Sequence, residues 1–157
     1  MARTRIYADT PVFGGCLDSE FAADSRRIMD AVQRGLLTII VSEVVLAELQ
    51  TAPEAVRRAL AELPRESVEV IELTDDVFDL QAAYLDAGIL PPRWADDALH
   101  VAAATVSRAD AIVSWNFSHI VRLDKIKAYN RVNFELRYGI LTILSPKEVI
   151  VDDDTSG

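Results

Sequence analysis

Short apolar runs rich in Val, Ile and Leu alternate along the chain with longer stretches in which apolar side chains recur every three or four residues. The short runs are typical of buried strands, and the longer stretches are typical of amphipathic helices. This pattern predicts strands at residues 5–8, 36–41, 68–73, 111–114 and 140–144. It predicts helices at residues 18–34, 43–50, 53–63 and 75–87, another within 93–106, and a short one after Ser145.

Residues that begin or end helices support these boundaries. Ser42 and Thr74 directly precede two predicted helices, where a side-chain oxygen can accept hydrogen bonds from free backbone N–H groups. Gly35 and Gly88 stand where two helices are predicted to end. Residues 145–148 combine a capping box with proline at the first helical position.

Strands that are separated by helices of this length indicate βαβ units, and therefore an α/β fold with a parallel sheet covered by helices on both faces. In such sheets functional groups gather beyond the carboxyl ends of the strands. Asp9 and Asn116 each follow a predicted strand, so we expect both at the same edge of the sheet. We predict one domain over residues 1–150 and a disordered acidic tail at 151–157.

Composition indicates a soluble cytoplasmic protein with no membrane partner. The chain has 157 residues, half of them hydrophobic, and its one cysteine, Cys16, cannot form an intramolecular disulfide. No apolar run reaches the length of a membrane span, and Asp9 interrupts the N-terminal segment before a signal peptide could form.

The net charge of −9 argues against a nucleic-acid partner, because phosphate binding requires Lys and Arg. Residues 114–139 are nevertheless locally basic. Five cations there outnumber Asp124 and Glu135: Arg122, Lys125, Lys127, Arg131 and Arg137. This segment is either a solvated face or a phosphate-binding surface.

Two helical carboxylates are predicted to point inward. Glu48 follows Val45 by one helical turn, and Asp97 precedes Val101 by one turn, so each shares the apolar side of its helix. An inward Glu48 could instead pair with an arginine. Either Asp96 or Asp97 could instead cap the helix, and this role is expected for Asp96, which lies on a more polar side.

Asp9, Glu48 and Asp97 would repel one another in a common pocket unless a cation joined them. Oxygen ligands without paired Cys or His select Mg²⁺ or Mn²⁺ rather than zinc, and these cations suit phosphate-ester chemistry. Three further side chains are candidates for supporting the ligands or a bound water: Thr10, Asp96 and Ser114. His100 and His119 could contact phosphate, although a structural role is the favoured interpretation. Trp94 and Trp115 could either pack or stack on a base.

The chain resembles PIN-domain proteins of the kind found as VapC-type ribonuclease toxins. The stretches that carry the resemblance are IYADTPVFGG, VSEVVLAEL, DDALHVAAA, IVSWNFSHI and ILTILSPKEVI. It implies a three-layer α/β/α sandwich, with a central mostly parallel sheet, that cleaves single-stranded RNA with Mg²⁺ or Mn²⁺. Asp9, Glu48 and Asp97 would be the catalytic metal ligands, and Asn116 would occupy a catalytic position where many relatives carry a fourth acid.

The same resemblance implies a cognate antitoxin and a homodimer. Arg93, Arg122 and Lys125 are the candidates for contacting RNA. A non-catalytic PIN-like module that binds RNA or a protein is the alternative function. A response-regulator receiver and a haloacid-dehalogenase-like phosphatase are disfavoured, because the residues after the first strand provide only Asp9 and lack the second acid that each of these folds requires.

Overall fold

A five-stranded parallel sheet forms the centre of the molecule, as the computed structural model of residues 3–151 shows. Its strands lie in the order β3-β2-β1-β4-β5, and every neighbouring pair runs parallel. The strands are β1 (Thr4–Ala8), β2 (Leu37–Ser42), β3 (Val68–Ile71), β4 (Ala111–Val113) and β5 (Thr142–Leu144).

Helices cover both faces of the sheet and complete the predicted α/β/α sandwich. The α-helices are α1 (Thr10–Gly14), α2 (Ala22–Gln33), α3 (Glu43–Gln50), α4 (Glu54–Ala61), α5 (Asp75–Asp86), α6 (Ala95–Val106) and α7 (Leu123–Glu135). Short 3₁₀ helices lie at Gly15–Leu17, Arg65–Ser67, Pro92–Trp94 and Pro146–Glu148. Among residues 3–151, no helix is both long enough and apolar enough to cross a membrane.

The strand order reverses direction at β1, which is the feature that positions the site. From β1 the chain adds β2 and β3 on one side and later adds β4 and β5 on the other. The carboxyl ends of β1 and β4 therefore flank the crevice in which parallel sheets of this kind bind ligands. Asp9 and Ser114 directly follow these two strands.

Burial explains why the strands appear in the sequence as continuous apolar runs. Ile39, Ile40 and Val41 of β2 are all fully buried, because helices cover the sheet on both faces. β3 lies at one edge of the sheet, and its Val70 is 55% exposed.

The predicted helix boundaries are largely confirmed, with one instructive exception. Gly35 and Gly88 have the positive φ angles of +75° and +77° that favour glycine after a helix, and the capping box at Ser145 is present. Ser42 and Thr74 occupy the N-cap positions of α3 and α5, but neither side chain caps its helix. The Ser42 hydroxyl is instead hydrogen bonded to the Tyr7 hydroxyl, 2.7 Å away.

Three further features differ from the sequence prediction. The first predicted helix begins at Ala22 rather than residue 18, and α1 and α7 were not predicted. Trp94, not Asp96, is the N-cap residue of α6, and no side chain caps that helix. The disordered acidic tail stays a prediction, because it lies, apart from Val151, outside the described residues.

Candidate active site

Asp9 is the most buried carboxylate of the candidate site. It follows β1, is 2% exposed, and its Oδ2 accepts a hydrogen bond from the Ser114 hydroxyl at 2.5 Å. The backbone N–H of Asn116 donates to the same hydroxyl oxygen at 2.9 Å, which fixes the orientation of Ser114. The second carboxylate oxygen, Oδ1, is buried and has no hydrogen-bond partner among residues 3–151. A buried acceptor without a partner is uncommon and is expected where a ligand belongs.

The environment of Asp9 raises its pKa to about 6. Burial is the largest cause, because it disfavours the charged form, and the negative charges of Asp97 and Glu48 add to the effect. His100 and the Ser114 hydrogen bond act in the opposite direction. Contacts agree with this, because Glu48 bonds to Thr10, the residue after Asp9, and Asp97 bonds to His119, which lies in the turn after Ser114. The three predicted carboxylates therefore lie near the same end of the sheet.

Glu48 projects from α3 toward Asp9 and is held by two donors. Its Oε1 accepts hydrogen bonds from the Thr10 hydroxyl at 2.6 Å and from His100 Nε2 at 3.2 Å. The His100 hydrogen bond holds the pKa of Glu48 below its ordinary value, burial opposes this, and the Thr10 hydrogen bond reinforces it. Thr10, one of the predicted supporting residues, thus contacts Glu48. The partner of Glu48 is a histidine rather than the arginine that the alternative interpretation required.

His100 links Glu48 to the core of the molecule. It is 3% exposed, and its Nδ1 lies 2.8 Å from the Tyr7 hydroxyl, which also contacts Ser42. An ionised carboxylate only accepts hydrogen bonds, so Nε2 carries a proton in either charge state of the ring. Burial lowers the pKa of His100, but the Glu48 hydrogen bond and the surrounding carboxylates outweigh it and leave the pKa raised.

Asp97 is held by the other histidine. Its Oδ2 lies 2.7 Å from His119 Nδ1, and the ring of His119 packs against Trp94 with 4.6 Å between centroids. The Tyr129 hydroxyl donates to the backbone carbonyl of His119 at 2.8 Å. The sequence favoured a structural role for both histidines. The structure shows that each one contacts a candidate ligand.

Asn116 has a structural task in this arrangement. Its Oδ1 accepts hydrogen bonds from the backbone N–H groups of Ser118 and His119, at 3.2 and 2.9 Å. The Asn116 side chain therefore stabilises the turn in which His119 lies, and His119 contacts Asp97. A catalytic role for Asn116 stays a prediction.

The remaining predicted residues lie around this cluster with different partners. Asp96 is exposed, and its side chain has no hydrogen bond or ion pair within residues 3–151. Arg122 forms a two-pronged ion pair with Asp124, and Lys125 Nζ donates to the Ile89 carbonyl at 2.6 Å. Arg93 is exposed beside Trp94.

The carboxylate oxygens of Asp9, Glu48 and Asp97 are donors of the type that a hard divalent cation prefers. Within residues 3–151, Asp9 Oδ1 is a buried oxygen without a hydrogen-bond partner, and the hydrogen bonds of Glu48 and Asp97 use one oxygen of each carboxylate. Carboxylate oxygens are the ligands that Mg²⁺ and Mn²⁺ prefer. Among residues 3–151, however, no group of three or more Asp, Glu, His or Cys side chains is arranged so that it could hold a metal ion. Glu48 and Asp97 are held by their histidines in this arrangement.

A cavity of about 540 Å³ lies at the opposite edge of the sheet, among residues that directly precede β4 and β5. Arg108 and Arg137 line this cavity just beyond the C-terminal ends of α6 and α7. Cations at these positions complement the partial negative charge of helix C-termini, so helix electrostatics accounts for both arginines. The cavity lies apart from the carboxylates and is not part of the candidate site.

These features define a three-layer α/β/α protein with an acidic site at the switch point of its sheet. Residues 5–118 match the sequence profile of the PIN domain. This span is well over half of the chain, and the chain therefore belongs to the PIN domain family. No curated protein sequence matches it.

Two solved structures share the fold over nearly their whole length. One is VapBC2 from Rickettsia felis bound to a DNA fragment from its promoter, which is 16% identical to this chain in sequence. The match has a TM-score of 0.56 and covers 90% of this chain and 98% of that chain. FitAcB from Neisseria gonorrhoeae is 13% identical with a TM-score of 0.57, covering 92% and 99%. At these identities the likeness concerns the fold.

Proposed function

We propose that this protein is a Mg²⁺- or Mn²⁺-dependent endoribonuclease that cleaves single-stranded RNA. The observation that carries the proposal is the buried Asp9 carboxylate beside Glu48 and Asp97. Its Oδ1 has no hydrogen-bond partner among residues 3–151, and its pKa is raised to about 6. A protein keeps such an arrangement only at a cost in stability, which a bound cation would offset. Membership in the PIN domain family supports the same chemistry.

Asp9, Glu48 and Asp97 would hold the cation together. When bound, the cation supplies positive charge that stabilises the phosphoryl oxygens and lowers the pKa of water. Ser114 orients Asp9, Thr10 and His100 orient Glu48, and His119 orients Asp97. These hydrogen bonds limit rotation of the carboxylates and so pre-organise the site.

We further propose that the protein is the toxin of a type II toxin–antitoxin pair, with a cognate antitoxin and a homodimeric state. Its support is the family, together with the fold shared with VapBC2 and FitAcB. A small reading frame directly upstream of the gene would encode the antitoxin. Co-expression of both frames should yield a complex that co-purifies and does not cleave RNA.

The central test is cleavage of a broad panel of single-stranded RNAs by protein purified without any partner. We expect cutting in Mg²⁺ or Mn²⁺, no cutting in EDTA, and recovery when excess Mn²⁺ is restored. Glu48→Gln should cut far more slowly while retaining its fold, which circular dichroism would check. Full activity in EDTA, or no activity on any RNA, would reject the proposal, and the second outcome would favour the non-catalytic binding module.

A further inference from the structure

The two tryptophans of the chain have opposite environments. Trp115 is 6% exposed, stacks on Phe21 with 4.2 Å between ring centroids, and donates its indole N–H to the Ser25 hydroxyl at 2.9 Å. Trp94 is 40% exposed, although it lies only three residues before Asp97. Trp115 is therefore a core residue, whereas Trp94 presents a large aromatic surface at the rim of the site.

Trp94 is held in place by contact with a residue of the candidate site. Its ring packs on His119, which is fixed by the hydrogen bond from Nδ1 to Asp97 and by the Tyr129 hydroxyl on its backbone carbonyl. Trp94 is also the N-cap residue of α6, so its backbone is anchored to a buried helix. A rigid aromatic side chain loses little conformational entropy when a second ring packs on it.

Arg93 adds a cation to this surface. Its guanidinium carbon lies 5.7 Å from the centroid of the Trp94 ring, within cation–π distance. The Arg93 side chain is exposed and has no ion pair or hydrogen bond with the described residues, whereas Arg122 is already paired with Asp124. In a chain with a net charge of −9, an arginine without an ion pair beside an exposed indole is well suited to phosphate.

We propose that Trp94 and Arg93 form a subsite in which an unpaired nucleobase stacks on the indole while Arg93 contacts the adjacent phosphate. Stacking platforms combined with cations are how proteins hold single strands without reading their sequence. The geometry selects for a single strand, because a base inside a duplex cannot expose its face to the indole. This inference rests on the proposed function for its placement next to the cleavage site.

The test is binding of single-stranded oligoadenylate in EDTA at low salt, followed by tryptophan fluorescence. Trp94 should be quenched on binding, and Trp94→Phe should remove the quenching while keeping affinity near that of the parent. Trp94→Ala should weaken binding by about tenfold or more, the loss that corresponds to one stacked base. An abasic ribose-phosphate strand of equal length should bind parent and Trp94→Ala equally, since it has no base to stack.

The matched control is Phe134→Ala. Phe134 is 77% exposed in the last turn of α7, beyond Tyr129, which is the residue of that helix that contacts His119, so its removal should leave affinity unchanged. Arg93→Ala should weaken binding of both strands and reduce the salt dependence. Unchanged affinity in Trp94→Ala, an equal loss on the abasic strand, or no binding by the parent would each overturn the subsite.

Binding and cleavage separate this inference from the proposed function. Cleavage that is unaffected by Trp94→Ala, with unchanged affinity, would reject the subsite and leave the nuclease intact. Stacking-dependent binding without any cleavage would reject the nuclease and retain the subsite in an RNA-binding module.

Discussion

At the scale of single residues, Asp9 carries an energetic cost that pH can reveal. Its pKa is about 6 in the fold, against an ordinary value of 3.8, so the native state binds a proton more readily than the unfolded chain does. Stability from this group is therefore present near pH 4 and is lost as pH rises through about 6. The shift in pKa corresponds to roughly 3 kcal/mol.

Asp9→Asn should remove that pH-dependent loss, because an amide does not ionise. In EDTA near neutral pH, we expect the variant to have a larger free energy of unfolding than the parent. The difference between variant and parent should be on the order of 2–3 kcal/mol larger near neutral pH than near pH 4. Urea titrations at the two pH values measure the difference. If the difference in free energy of unfolding between variant and parent does not change with pH, ionisation of Asp9 does not destabilise the fold.

The Tyr7 hydroxyl should matter for both stability and rate, because it anchors His100 and thereby Glu48. Tyr7→Phe leaves buried partners unsatisfied and should cost about 1–3 kcal/mol of stability. Its single-turnover cleavage rate should also fall. Tyr84→Phe is the matched control, since Tyr84 is equally buried and bonds to Asn133 outside the site.

Tyr84→Phe should lose comparable stability while keeping the parent cleavage rate. If Tyr7→Phe and Tyr84→Phe have the same effect on cleavage, the path from Tyr7 through His100 does not position Glu48.

At the scale of elements, the turn at residues 116–119 follows β4 and contacts Asp97 through the side chain of His119. Asn116→Ala removes the acceptor for two backbone N–H groups and should destabilise the protein by about 1 kcal/mol, as loss of a helix cap does. Asn116→Asp keeps an acceptor and should retain the stability of the parent. Thermal unfolding of both variants checks this. Equal destabilisation by both substitutions would show that the Asn116 side chain does not act as the acceptor of the turn.

Strands and most helices could be predicted from the sequence because burial on two faces leaves a continuous apolar run, and turns leave glycine or proline. α7 was not predicted because its segment was interpreted by its many charged residues rather than by its apolar spacing. Its buried side, with Ile126 partly buried and Tyr129, Val132 and Asn133 buried, follows helical spacing, but it includes an asparagine that pairs with Tyr84. A polar core residue weakens the apolar periodicity on which such predictions depend.

The candidate site was predictable in its acids but not in its histidines. Inward placement of Glu48 and Asp97 follows from helical spacing alone. The contacts of His100 and His119 with these acids join side chains 52 and 22 residues apart, so only the tertiary structure reveals them. Ser42 failed as a predicted cap for the same reason, since its hydroxyl has a buried tertiary partner in Tyr7.

At the scale of the whole molecule, the strand order places the ends of β1 and β4 side by side, and the acids from α3 and α6 close on that point. We therefore expect the position of a carboxylate in the fold, and not merely its negative charge, to decide whether it contributes to cleavage. Asp96 and Asp97 provide a direct comparison, because they are neighbours on one helix and only Asp97 contacts His119.

The decisive measurement is single-turnover cleavage of single-stranded RNA in Mn²⁺ by Asp97→Asn and Asp96→Asn. We predict that Asp96→Asn cleaves at nearly the parent rate. Asp97→Asn should lose at least about a hundredfold, since even outer-shell partners of a metal site cost about 10–100-fold when mutated. Equal rates for the two variants, with both folded, would show that Asp97 has no special place in the reaction and that the proposed metal site is wrong.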